Sequence, residues 1–268
     1  MGSLPKNRGW QETPLLSRGG ESRGREARAR QGEASIKAST GVVLVKKDPS
    51  VDQHHPGAGR HPASTQAAEE GNVGTTVWLI RHASPDGVNG RCYGRHDVPL
   101  SAEGVNQAKQ ISAQLADESI ANIYSSHLRR AFDTGRIIAE PHGLAVRPVE
   151  DLAEIHFGDL EGLTYEEIEK RRPDIFESWM SRPTETQFPN GESFQQMSIR
   201  VLRAFDSLIS NHRNQSIAVV AHAGVIRLLL GKALSIPGSE MFRLAQRYGA
   251  INRIRYFDDG PIVELING

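Results

Sequence analysis

Apolar residues are spread unevenly along this chain. Before residue 76 they are sparse, and beyond it they gather into runs of two kinds. Val77-Trp78-Leu79-Ile80 and Ile217-Ala218-Val219-Val220-Ala221 are unbroken, the pattern of strands covered on both faces. Shorter β-type runs at 121–124 and 145–148 predict two further strands. Runs at 250–257 and 262–266 flank Asp258-Asp259-Gly260, a hairpin turn signal that makes these two antiparallel.

Between the strands the apolar spacing turns helical. Ser101 is the expected cap of a helix reaching residue 116, with Val105, Ala108, Ile111 and Leu115 on one side. A second helix is predicted over 128–140, stopped by Pro141-His142-Gly143. Thr164-Tyr165-Glu166-Glu167 is a capping box opening a short helix to residue 172, ended by Pro173. Residues 179–191 hold two prolines, Pro183 and Pro189, and read as a loop, a lid or substrate-facing wall. A long helix over 193–210 turns Phe194, Met197, Val201, Leu202, Phe205 and Leu208 inward, and an apolar helix fills 225–234. The alternation predicts an α/β fold.

Residues 1–76 carry Gly, Arg, Ser, Glu, Gln and Pro and one short β-type run, Val42-Val43-Leu44-Val45, too little apolar surface to offset chain entropy. They are expected to be a disordered basic tail or the product of a start assigned too far upstream, with the functional domain over 77–268. Acidic residues among the arginines argue against a transit peptide. His54, His55 and His61 lack Cys or carboxylate at ligand spacing, so no metal site is expected.

The 32 basic and 32 acidic residues cancel. Residues 1–76 hold 11 and 8, net +3, leaving 21 and 24, net −3, for the rest. That gives no global pull toward nucleic acid or an anionic membrane, so an anion would need a local arginine cluster. No run is long enough to span a bilayer. The single cysteine, Cys92, allows no internal disulfide and fits a reducing, cytoplasmic compartment; beside Tyr93 it reads as a packing residue.

Chemistry gathers at strand ends. Both fully apolar strands finish in histidine, His82 after Arg81 and His222 before Ala223-Gly224. Arg129-Arg130 opens the helix after the second strand, where the helix dipole disfavours cations and an anion would explain them. Glu154 follows the third strand. Ligands of open α/β sheets bind beyond the carboxyl ends of strands. Alone, each residue has a plainer reading: a core histidine bonded to backbone, an Arg129–Asp133 surface pair, a loop charge. Together, arginines suit a phosphate dianion, a histidine suits nucleophilic attack on phosphorus, and a carboxylic acid suits a leaving alkoxide.

Five motifs resemble the histidine phosphatase superfamily, also called phosphoglycerate mutase-like, in that family's order. They are Leu79-Ile80-Arg81-His82; Leu128-Arg129-Arg130-Ala131 with Thr134; Leu152-Ala153-Glu154 with Gly158, Glu161 and Gly162; Asn190-Gly191-Glu192-Ser193; and Val220-Ala221-His222-Ala223-Gly224-Val225. The resemblance implies a three-layer sandwich, a mostly parallel sheet with helices on both faces. It implies that His82 accepts the phosphoryl group and that Arg81, Arg130 and His222 hold it. Glu154 would be the proton donor, and Asn89, Tyr93, Gly94 and Ala223 would line the substrate. Two departures stand out: Ala83-Ser84-Pro85 replaces the usual Gly-Glu-Thr, and Val88, with Asn89 adjacent, falls where an Asn is usual. The segment Gly90-Arg91-Cys92-Tyr93-Gly94-Arg95-His96-Asp97-Val98-Pro99-Leu100 is similar to the variant in bacterial α-ribazole phosphatase-like proteins.

The resemblance implies a phosphomonoester hydrolase working through phosphohistidine on a small phosphorylated metabolite, with α-ribazole 5′-phosphate as one candidate. It implies no cofactor, no metal, no nucleic acid and no membrane partner. A mutase-type phosphotransferase and a non-catalytic phospho-ligand-binding module stay open as alternatives, as does a homodimer.

Overall fold

The computed structural model describes residues 74–88 and 90–268. The tail reading, its three histidines and the Asn89 assignment lie outside the described residues.

Six strands form one sheet: β1 (Thr75–Arg81), β2 (Asn122–Ser125), β3 (Val146–Pro148), β4 (Ser216–Ala221), β5 (Ile251–Phe257) and β6 (Gly260–Leu265). Their order is β3-β2-β4-β1-β5-β6. Pairs β2–β3, β2–β4 and β1–β4 are parallel, while β5 runs antiparallel to β1 and to β6. The expected mostly parallel sheet with a terminal hairpin is therefore present.

The unbroken apolar runs have a direct cause. Val77 and Leu79 of β1, with Ile217, Val219 and Ala221 of β4, pack into one core. Trp78 and Ile80, with Ala218 and Val220, pack into the other. Both faces of the central strands are covered, so Val77–Ile80 and Ile217–Ala221 are apolar without a break. On one face lie α1 (Ala102–Leu115) and α2 (Arg129–Ala139), which supply Ile111, Leu115, Ala131 and Ile138. On the other lie α3 (Tyr165–Arg171), α4 (Pro173–Ser181), α5 (Phe194–Asn211) and α6 (Ala223–Ala233).

The expected caps form. Ser101 accepts from the Gly104 amide, and Thr164 with Glu167 makes a capping box. Ser193 and Gln196 make a second. The sequence reading missed α4. Pro173, read as a stop, is the first residue of that helix, where its missing N–H costs nothing. Trp179, expected in a loop, is therefore helical and wholly buried, stacked on Tyr165 and edge-on to Phe188.

Candidate active site

Strand register brings the two histidines together. Arg81 pairs with Ala221 across the parallel β1–β4 ladder, and the His82 amide donates to the Ala221 carbonyl at 2.9 Å. The next residues, His82 and His222, thus leave adjacent strands side by side, with ring centroids 5.0 Å apart. Ser125 of β2 pairs with Val220, which sets Ser126 beside His222; its Oγ lies 2.9 Å from Nε2.

Each group is held in a defined way. His82 is 2% exposed, and its Nδ1 lies 2.8 Å from the Ala83 carbonyl. A carbonyl only accepts, so Nδ1 carries the proton and the lone pair sits on Nε2. Arg81 donates from Nη1 to the Gln246 carbonyl at 2.6 Å, and its guanidinium lies 3.9 Å from the Tyr248 ring centroid. Arg130, in the first turn of α2, is fully buried. It donates to the Gly94 carbonyl at 2.7 Å and to the His96 carbonyl at 3.0 Å. No carboxylate stands within ion-pairing distance of Arg130 among the described residues. Arg129, by contrast, is exposed, its amide capped by Asp97 at 2.7 Å.

Glu154 is 7% exposed, in the segment after β3. One oxygen accepts from the Ile155 amide and the other from the Gly224 amide in the first turn of α6, both at 2.9 Å. Any side chain at Gly224 would run into this carboxylate. Ala223 is the first residue of α6, next to His222. Tyr93 sits 5.0 Å from the Arg130 guanidinium, and its hydroxyl meets that of Tyr248. Gly94 reaches the cluster through Arg130, and its Cα has no room for a side chain against the Ile155 carbonyl.

The family model for the histidine phosphatase superfamily (branch 1) matches residues 77–268. The chain belongs to this superfamily. It is 36% identical over 161 residues to phosphoglycerate mutase-like protein 4 of Arabidopsis thaliana, covering 59% of this chain and 70% of that one. Bifunctional protein Rv2228c of Mycobacterium tuberculosis is 33% identical over 196 residues, 72% of this chain; the match spans about half of that relative, 54%. Among solved structures, the α-ribazole phosphatase from Shigella flexneri superposes with a TM-score of 0.67 at 29% identity, covering 72% of this chain and 96% of that one.

As a histidine phosphatase, the protein gathers all five of the sequence-derived catalytic candidates at one end of its sheet. Burial first, then the Arg130 and Arg81 charges, push His82 well below the ordinary histidine value, against the Ala83 bond. Burial, then Arg130 and His82, lower His222 likewise. Both rings are therefore neutral near pH 7. His222 Nδ1 is buried without a hydrogen-bond partner, an unusual loose end that a ligand oxygen would satisfy.

The loop that departs from the family pattern works through its backbone. Ala83 is fully buried and its amide donates to Thr134 Oγ1 at 3.1 Å; the Ser84 amide donates to Gln107 at 3.0 Å. Cys92 is buried, and burial with the Glu161 and Glu154 charges pushes its thiol well up, which removes it as a nucleophile.

Sequence reasoning missed Tyr248, Gln246 and Arg200. The first two lie just before β5, more than 160 residues from Arg81, in a stretch with no periodic signal. Among the described residues, no group of three or more His, Cys, Asp or Glu side chains is arranged to hold a metal, and no helix is long and apolar enough to cross a membrane. A cleft lined by Leu100, Val105, Arg136 and Glu140 on the α1–α2 face shares none of the site residues.

Proposed function

We propose that this protein hydrolyses a small phosphomonoester through a phosphohistidine on His82, and that residues 77–268 form the catalytic domain. The observation that carries the reading is the His82 ring. Its proton is held on Nδ1 by Ala83, leaving the lone pair on Nε2; the charges of the buried Arg130 and Arg81 act on the ring, and among the described residues Arg130 has no carboxylate partner.

In this reading Arg81, Arg130 and His222 clamp the phosphoryl oxygens and take up charge as it spreads in a loose transition state. His82 Nε2 attacks phosphorus in line with the leaving oxygen. The P–O bond breaks, and Glu154 gives its proton to the departing alkoxide. A water then attacks the phosphohistidine, Glu154 takes that water's proton, and the P–N bond breaks. Orthophosphate leaves, and His82 regains its neutral state. Tyr93 and Tyr248, over the two guanidiniums, would form the wall against the leaving group.

α-Ribazole 5′-phosphate is the specific substrate we favour. The Cys92-Tyr93-Gly94 loop and the likeness to the Shigella flexneri α-ribazole phosphatase support it. A lone buried thiol suits a reducing, cytoplasmic setting. The test is orthophosphate release by the purified full chain, without added metal, from α-ribazole 5′-phosphate, 3-phosphoglycerate, alkyl phosphates and p-nitrophenyl phosphate. Release that His82→Ala abolishes is the expected result. A folded wild type silent on every ester would overturn it.

A further inference from the structure

Glu154 sits outside the regular elements, in a segment that no strand pairs. Residues 153–157 run between a short 3-10 turn (Glu150–Leu152) and another (Gly158–Leu160). A proton donor so placed needs another anchor, since a misplacement of about 1 Å at a reacting group costs roughly a hundredfold in rate.

Arg200 of α5 supplies the anchor. Nη1 donates to the Asp151 and Ala153 carbonyls, both at 2.7 Å, and Nη2 donates to the Glu154 carbonyl at 3.1 Å. Its other edge grips Glu192 in bidentate fashion, Nε to Oε2 at 3.0 Å and Nη2 to Oε1 at 2.5 Å. Glu192 binds the same segment from beyond: Oε1 accepts from the His156 amide, and its own amide donates to the His156 carbonyl, both at 2.9 Å. Both side chains are largely withdrawn from water, at 13% and 15% exposure. Removing one partner of a buried pair this fully bonded costs more than breaking a surface pair, because the charge left alone would be unsatisfied. Lysine could not replace Arg200: an ammonium has three donors in no fixed plane, too few for three carbonyls and a carboxylate.

We propose that Arg200, locked by Glu192, is a positioning residue for proton donation. It fixes the Glu154 main chain so that the carboxyl group faces the leaving oxygen. The inference rests on Glu154 being the donor.

Leaving-group dependence tests it. p-Nitrophenolate departs without a proton, whereas an alkoxide requires one, so in kcat/KM, which reports formation of the phosphohistidine and not the Glu154-assisted hydrolysis common to both esters, a displaced donor slows only alkyl esters. Full-length Glu154→Gln, Arg200→Lys and Glu192→Gln would be assayed on p-nitrophenyl phosphate and on the fastest alkyl phosphate of the panel. Arg200→Lys and Glu192→Gln should each lower kcat/KM on the alkyl ester by about tenfold or more. Loss of kcat/KM on p-nitrophenyl phosphate should stay within about twofold, with inhibition by orthophosphate unchanged. Glu192→Gln keeps the side-chain shape and carries the test if Arg200→Lys does not fold. Equal losses on both esters, with the split present in Glu154→Gln, would make Arg200 merely structural. No split in Glu154→Gln would remove the donor reading and this inference with it.

Discussion

Arg130→Met separates what Arg130 does for the ligand from what it does for the fold. In the free protein the guanidinium is fully buried and, among the described residues, bonds only the Gly94 and His96 carbonyls. Methionine leaves the buried Gly94 carbonyl without a donor, a cost of about 1–3 kcal/mol, while the exposed His96 carbonyl turns to water. Against that, it removes a buried charge whose desolvation costs several kcal/mol when no carboxylate answers it. Folding stability should therefore hold, within about 2 kcal/mol of wild type. Phosphate binding should not hold. Two charge-assisted bonds at the low end of about 1.5–3 kcal/mol each come to roughly 3 kcal/mol, near a hundredfold in affinity. Denaturant unfolding with and without orthophosphate reads both quantities. At about a hundred times the wild-type Kd, orthophosphate should add about 2.7 kcal/mol to the wild type and about 0.4 kcal/mol to the variant. A variant that keeps its inhibition by orthophosphate within about threefold would refute the argument that Arg130 is an anion ligand.

The lowered His82 and His222 values set a sign for pH. Between 6.5 and the depressed folded values, the unfolded chain binds protons that the native protein does not, so stability is full above 6.5 and erodes as pH falls below it. The slope reaches up to about 2.7 kcal/mol per pH unit for two histidines, and acid unfolding that starts below both folded values would contradict it. The acid limb of kcat/KM should likewise lie below 6.5, and a limb at or above 6.5 would mean that His82 is not held neutral. Gly224→Ala should push the Glu154 carboxylate aside and cut kcat on alkyl phosphates by about tenfold, with stability down by about 1–3 kcal/mol. Unchanged kcat would remove the link between that contact and catalysis. Trp179→Ala should cost about 3–5 kcal/mol of stability while sparing orthophosphate inhibition, and weakened inhibition would show that Trp179 shapes the site.

How far the sequence spoke depended on whether a signal was local. Strands β1 and β4 were legible because burial on both faces forbids polar residues, and their histidines were legible because they break those runs. Arg130 was legible as a cation placed where a helix dipole opposes it. The helix α4 was lost because proline both ends one helix and begins the next, and only the backbone between Arg172 and Pro173 decides which. Tyr248 and Arg200 carry no such mark. Tyr248 is defined by a cation–π contact to Arg81, and Arg200 by carbonyls in the 151–154 segment, about fifty residues earlier in the chain. On α5, Arg200 lies beside the predicted inward face and reads as a solvated charge until the fold brings that segment to it. Trp179 shows the converse: the stretch it opens, 179–191, read as a substrate-facing loop, whereas Trp179 itself packs on Phe157, Phe188 and Tyr165.

The central claim is the phosphohistidine on His82, and trapping it is the most direct measurement. Wild-type protein would be mixed with p-nitrophenyl phosphate, quenched in base within milliseconds, digested and examined by mass spectrometry. The account predicts one phosphoryl group, stable to base and labile to acid, on the peptide holding His82, and none in His82→Ala. Steady turnover with no phosphoryl-enzyme, or with the phosphoryl group on His222, would contradict it.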